Sequence, residues 1–146
     1  MTYGVPQGSM LGPLLFCLFI NDLPLNLSND KVSKDLFADV SPLHTRGENT
    51  QLVGTPLQGS LNEESDWSDS HSMIIHPAKG KRMVSVTRQN HHLSPLQLKL
   101  TVEKTHIEQV HKYPVLGVKI DAEMKWWSHL KTVSKYLPTF STWVLY

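Results

Sequence analysis

The stretch Gly4-Val5-Pro6-Gln7-Gly8-Ser9-Met10-Leu11-Gly12-Pro13-Leu14-Leu15-Phe16, continued by Cys17-Leu18-Phe19-Ile20, decides how the rest of the chain is read. Gly4, Pro6 and Gly8 interrupt regular structure and predict a loop. Ser9 is a favourable N-cap, so a helix is expected from there to about Asn21, with Pro13 tolerated near its first turn. Met10, Leu11, Leu14, Leu15, Phe16, Leu18, Phe19 and Ile20 leave this helix without a polar face, which predicts burial. Cys17 inside the run is then an inert core thiol. A helix over 10–20 spans about 16 Å, well short of a ~30 Å hydrocarbon core, so no membrane span is expected. No basic residue precedes the run and no small-x-small site follows it, which argues against a secretory signal.

Working outward, Leu23-Pro24 ends the helix. Lys34–Val40 reads as a short strand and Leu43-His44 as its hairpin return, with Asp39 near the turn. Pro42 falls on the return strand and removes a backbone donor there. Leu57, Leu61 and Trp67 suggest a second helix over Thr50–Ser70. Gly54, Pro56 and Gly59 weaken its first half, so a start after Pro56 stays open. Beyond it the pattern changes to short strands at Met73–Ile75, Met83–Val86, Leu96–Leu100 and Val115–Ile120. A last helix runs from about Trp126 to Tyr136 and stops at Pro138. This order predicts an α+β fold with an antiparallel sheet.

At 146 residues the chain is one ordinary domain or a piece of a larger one. Its 14 Lys and Arg against 13 Asp and Glu leave a charge of +1, which excludes a polybasic or acidic tail as the whole molecule. One segment is biased: 71–100 holds Lys79, Lys81, Arg82, Arg88 and Lys99 with no acid, beside His71, His76, His91 and His92. It reads either as a solvated face or as a face that follows phosphates, which makes a non-enzymatic nucleic-acid-binding module the alternative function. Cys17 is the only cysteine, so internal disulfides and cysteine-based zinc sites are excluded and an intracellular location, cytoplasm or nucleus, is expected. The pairs His71/His76 and His106/His111 lack the i, i+4 spacing of a helical zinc motif. Trp126-Trp127 is either a stacking platform for bases or the packing of a helix start.

Gly4–Phe16 together with Ile20-Asn21-Asp22-Leu23-Pro24 resembles the fingerprint of reverse transcriptases, nearest to those of non-LTR retrotransposons. Leu36-Phe37-Ala38-Asp39 resembles the start of the family's catalytic hairpin, which ends in two adjacent aspartates. Leu57…Leu61…Trp67…Met73-Ile74-Ile75-His76-Pro77-Ala78-Lys79 resembles the helix and strand that carry a lysine. Leu116-Gly117-Val118 with Ile120-Asp121, Trp126 and His129 resembles the primer-grip strand and the approach to the thumb. The resemblance covers nearly the whole chain. It implies a partial palm over 1–112, the primer grip and start of the thumb over 113–146, and no fingers.

It further implies an RNA-directed DNA polymerase lineage with an RNA template and a DNA primer as partners and Mg²⁺ as cofactor; the sequence itself points to no membrane and no obligate protein partner. Pro6, Gln7, Gly8 and Ser9 would line the nucleotide and template site. Lys79 would act near the leaving pyrophosphate, or is a solvated lysine. Asp39 would be a catalytic metal ligand, or simply a hairpin-turn aspartate. Leu116 and Gly117 would belong to the primer grip. A metal pair needs several oxygen ligands, and Val40 stands at the second hairpin position while the family's upstream aspartate has no counterpart before Gln7. His76 and Gly80 depart from the usual asparagine and from threonine or serine. The expectation is a metal site left incomplete at Asp39, no polymerase activity alone, and an exposed sheet edge and apolar helix that limit solubility.

Overall fold

The structure, a computed structural model, describes residues 8–23, 30–85 and 98–135. The chain divides into two compact units, Met1–Ile75 with Leu100–Thr105, and His76–Lys99 with His106–Tyr146. Both contain helix and short strands, so the α+β class is met. Among the described residues the strands form four separate two-stranded sheets instead of one antiparallel sheet. The strands are two to four residues long, too short to build a wider ladder.

In the first unit, helix α1 spans Gly12–Ile20. It starts later than Ser9 predicts: Leu11 holds the N-cap position and has no side-chain acceptor, while the Ser9 carbonyl accepts the Gly12 N–H at 3.3 Å. Pro13 sets this limit, because its missing N–H is harmless only among the free donors of the first turn. Full burial is not met either. Gly12 and Ile20 are buried and Phe16 half-buried, whereas Leu11, Leu14, Leu15, Leu18 and Cys17 are exposed. Cys17 is therefore a surface thiol and not a core one.

Strands β1 (Val32–Lys34) and β2 (Leu43–Thr45) form an antiparallel hairpin with Val32 opposite Thr45 and Lys34 opposite Leu43. The same register continues to a bridge between Phe37 and Val40. Between them, Asp35 N–H donates to the Pro42 carbonyl at 3.1 Å. Pro42 has no N–H to return, so this rung keeps one of its two bonds and the regular ladder stops at Lys34, short of the expected Val40.

Helix α2 occupies the whole of Thr50–Ser70, which decides between the two starts left open by the sequence. Asn49 caps it: its side-chain oxygen accepts Leu52 N–H at 2.9 Å. Pro56 sits buried inside the helix and leaves the Leu52 carbonyl without its i+4 donor. The inward stripe is small and polar (Pro56, Ser60, Ser68), with the Glu64 side chain 14% exposed on the same line and 3.4 Å from the Lys34 ammonium of β1. Gln58 acts as a substitute strand partner: its Oε1 accepts Thr101 N–H at 2.9 Å and its Nε2 donates to the Thr101 carbonyl at 2.8 Å. Among the described residues, Ile20, Leu23, Val32, Leu100 and Val102 are buried here beside Pro56.

Farther along, no strand forms at 73–75, and the strand expected over 83–86 is replaced by β3 (Lys81–Arg82); Val86 lies outside the described residues. β3 pairs in parallel with β6 (Glu108–Gln109), where an antiparallel partner was expected. Residues 98–100 precede a strand without forming one: β4 is Thr101–Val102 and pairs with β5 (Thr105–His106). The single strand expected over Val115–Ile120 is a hairpin, β7 (Lys112–Val115) and β8 (Val118–Asp121), because Leu116 and Gly117 turn the chain. Helix α3 spans Trp127–Lys135 and packs on β8. Trp126 precedes it and accepts the N–H groups of His129 and Leu130 on its carbonyl, at 3.0 and 2.9 Å. Tyr136 and Pro138 lie outside the described residues. Among the described residues, no helix is long and apolar enough to cross a membrane.

Candidate functional site

The tip of the first hairpin is a two-residue turn, Ala38-Asp39. Phe37 and Val40 exchange both backbone hydrogen bonds across it, each 2.9 Å. Ala38 has φ +50°, and Asp39 is not among the positive-φ residues, the sign pattern of a type II′ turn. Asp39 and Val40 are both exposed. The carboxylate thus stands at a rigid apex with an isopropyl group, and no second acid, following it. Among the described residues, no group of three or more His, Cys, Asp or Glu is placed to hold a metal ion.

The glycine-rich loop is described only in part. Gly8 has φ +83°, a left-handed conformation that suits glycine, and Ser9 is half-buried. Pro6 and Gln7 lie outside the described residues. Asp39, Gly8 and Ser9 belong to the first unit, and Lys79, Leu116 and Gly117 to the second.

Lys79 is exposed in a tight turn, its N–H bonded to the His76 carbonyl at 3.0 Å, and Gly80 N–H follows to Pro77 at 3.1 Å. A Cβ on Gly80 would meet the Pro77 carbonyl oxygen at 3.3 Å, so glycine at this position has a local steric reason. The basic segment around it is partly neutralised. Lys81 pairs with Glu108 at 2.7 Å, and Arg82 donates to the Ile107 carbonyl at 2.7 Å and to Gln109 at 3.4 Å. These cations fasten β3 to β6 in place of lining a free face. Arg88, His91 and His92 lie outside the described residues.

Leu116 and Gly117 form the apex of the second hairpin, with φ +49° and +84°. Positive φ at both central positions is the type I′ pattern, which matches strand twist but strains leucine. Trp126 and Trp127 are exposed by 47% and 65%, so the pair is not packed at the helix start as one sequence reading had it.

Two arrangements were missed by the sequence reading. The first joins α1 to α2: the His71 ring stacks on Trp67 with centroids 4.1 Å apart, and Phe19 meets both rings edge-on at 5.6 and 5.9 Å. His71 Nε2 also lies 3.2 Å from Asp22, and its Nδ1 lies 2.9 Å from the Trp67 carbonyl oxygen. The second is buried Asp121, whose Oδ1 accepts Glu123 and Lys125 N–H at 3.1 and 3.0 Å and shapes the loop into α3. The first is hidden because Phe19 and Asp22 lie about fifty residues from Trp67 and His71, whereas the second is a local aspartate-to-backbone turn whose signal was passed over.

The chain is similar to RNA-directed DNA polymerases of mobile elements. It is 26% identical over 141 residues to the RNA-directed DNA polymerase from mobile element jockey of Drosophila melanogaster, in a match taking in 93% of this chain. It is 26% identical over 140 residues, 92% of this chain, to the probable RNA-directed DNA polymerase from transposon BS, and 27% identical over 134 residues, 89% of it, to that from transposon X-element, both of the same fly. The chain spans 14–15% of the length of these relatives. No protein-family model matches it, and no solved structure does.

Proposed function

We propose that this chain is a palm-region segment of a retroelement RNA-directed DNA polymerase, with 1–112 a partial palm and 113–146 the primer grip and the start of the thumb. By itself it does not polymerise. The observation that carries the second statement is the hairpin apex, where Asp39 is followed by Val40 on the next rung. Two-metal nucleotidyl transfer needs acidic ligands that neutralise and space two divalent ions. Polymerases of this lineage use a divalent metal in general, and the residues at this apex do not fit one.

In the same reading, Gly8 and Ser9 with Pro6 and Gln7 face template and nucleotide, Lys79 sits near the leaving pyrophosphate, and Leu116 and Gly117 hold the primer. RNA template and DNA primer are the partners that the relatives' names support. The basic 71–100 face is the weaker reading, since Lys81 and Arg82 are bound within the fold.

Template–primer extension with the purified chain, Mg²⁺ or Mn²⁺ and dNTPs tests this. No incorporation above a protein-free blank is expected. Incorporation that disappears on Asp39→Asn would overturn the inactivity.

A further inference from the structure

The His71 imidazole, at the C-terminal end of α2, turns both ring nitrogens toward oxygen atoms. Nδ1 lies 2.9 Å from the Trp67 carbonyl oxygen and 2.9 Å from the Ser70 hydroxyl. Nε2 lies 3.2 Å from the Asp22 carboxylate, just beyond α1. The Ser70 hydroxyl donates to the Trp67 carbonyl at 2.7 Å, so its own oxygen is left to accept. A carbonyl and an ionised carboxylate can only accept. A neutral imidazole carries one N–H and must aim its other lone pair at one of these oxygens, whereas the imidazolium donates from both nitrogens. The ring also stacks on the Trp67 indole, 4.1 Å between centroids and 19° between planes, where the π face favours a positive charge.

We infer that His71 is a pH-sensitive latch, which ties the end of α1 to the end of α2 when its ring is protonated and releases Asp22 when the proton is lost. The proton that leaves is the one on Nε2. Nδ1 faces two acceptor oxygens from a side chain only 28% exposed, whereas the Asp22 side chain is 64% exposed and exchanges its bond for water. Phe19 stays against the Trp67 and His71 rings, so release loosens the end of α1 without undocking it.

Among the described residues, Asp22 is the charged group in contact with the ring; α1 itself, over 12–20, carries no charge. From α2 the ring meets the neutral Trp67 indole and carbonyl and the Ser70 hydroxyl, while Asp66 and Asp69 are exposed and Glu64 pairs with Lys34 of β1. The folded chain favours the charged ring, so the latch contributes stability at the acid end of the histidine range, about pH 5, and loses it as pH rises to about 8. The latch operates whether or not the chain acts on nucleic acid.

Urea unfolding of the 146-residue chain at about pH 5.5 and about pH 8 tests it, against Asp22→Asn and His71→Phe. An asparagine at 22 serves either state of the ring, accepting from an N–H through its carbonyl or donating to a bare nitrogen through its amide. Phenylalanine at 71 keeps the stack without the ionisation. From pH 8 to pH 5.5 the folded-to-unfolded ratio of the unaltered chain should rise by about threefold to tenfold relative to each variant. The other histidines contribute equally to all three proteins and cancel. The same pH response in the unaltered chain and in Asp22→Asn overturns the latch. Ring ¹⁵N resonances of His71 in the unaltered chain decide the matter even where a variant does not fold. Protonation of both nitrogens at the lower pH, and of Nδ1 alone at the higher, is expected. A neutral ring protonated on Nε2 and still bonded to Asp22 at the higher pH overturns it.

Discussion

The Lys34 ammonium lies 3.4 Å from the Glu64 carboxylate, with the Lys34 side chain 1% exposed and that of Glu64 14%. An ion pair largely withdrawn from water thus joins β1 to α2. Its attraction is offset by the loss of hydration, so its presence says little about net stability, whereas losing one partner strands the other charge. Lys34→Met should therefore destabilise the chain by about 3–5 kcal/mol. Lys34→Met combined with Glu64→Leu should regain most of that loss. Urea unfolding of both variants checks it, and equal stability of the single and double variants would contradict it.

Ser60 is 2% exposed and its hydroxyl has no hydrogen-bond partner among the described residues. A buried donor left unmade costs about 1–3 kcal/mol. Ser60→Ala deletes the hydroxyl and keeps the small volume that the α2 stripe requires. Its expected effect is a gain of about 1 kcal/mol, read from the unfolding midpoint at unchanged m-value.

Asn49 and Pro56 act on the first half of α2 in opposite senses. Asn49→Ala removes the acceptor for Leu52 N–H and should cost about 1 kcal/mol. Pro56→Ala returns a donor to the Leu52 carbonyl and should stabilise by up to about 3 kcal/mol. Calorimetric melting of the two variants should move Tm in opposite directions.

Leu116 is held at φ +49° next to Gly117 at +84°. Leu116→Asn creates the Asn-Gly pair preferred in type I′ turns and should stabilise the β7–β8 hairpin by about 1 kcal/mol. Gly117→Ala should destabilise it by about 1 kcal/mol. Hydrogen exchange at Val115 and Val118 reports both effects. If Leu116 serves the primer, its strained conformation is kept for contact and Leu116→Asn should weaken template–primer binding while the hairpin grows firmer.

Asp121→Ala removes the acceptor shared by Glu123 and Lys125 N–H. The loop before α3 should then loosen, with a loss of about 1–3 kcal/mol from the two unpaired donors. Faster exchange at those two amides, with β7 and β8 unchanged, is the expected signature.

The sequence disclosed the elements that obey short-range rules. The first hairpin, the second half of α2 and the place of α3 follow from turn residues and periodicity within a few positions of each other, while the start of α2 stayed open until the Asn49 cap fixed it. It misled where the answer depends on what a surface meets. Nothing in Met10–Ile20 distinguishes a helix wrapped by its own chain from one with a bare leucine stripe, since hydropathy is the same in both cases. The strand over Val115–Ile120 was misread because alternation continues through Leu116, whose positive φ is imposed by the turn against its own preference. Of the candidate site, the apex position of Asp39 was legible from its neighbours. The Phe19, Trp67 and His71 cluster and the Lys34–Glu64 pair were not, as each depends on partners many residues apart.

The register that carries Val32–Thr45 unbroken to Phe37–Val40 also sets the geometry of any repair at position 40. Residue 40 belongs to a paired rung, so its side chain emerges on the face shared with Phe37. An aspartate installed there would arrive beside a benzyl ring, with its orientation dictated by the pleat. Inserting one residue into the apex would transfer it to the opposite face at the expense of the bridge. Reconstituting a paired acidic apex therefore calls for reshaping the loop as well as exchanging a side chain.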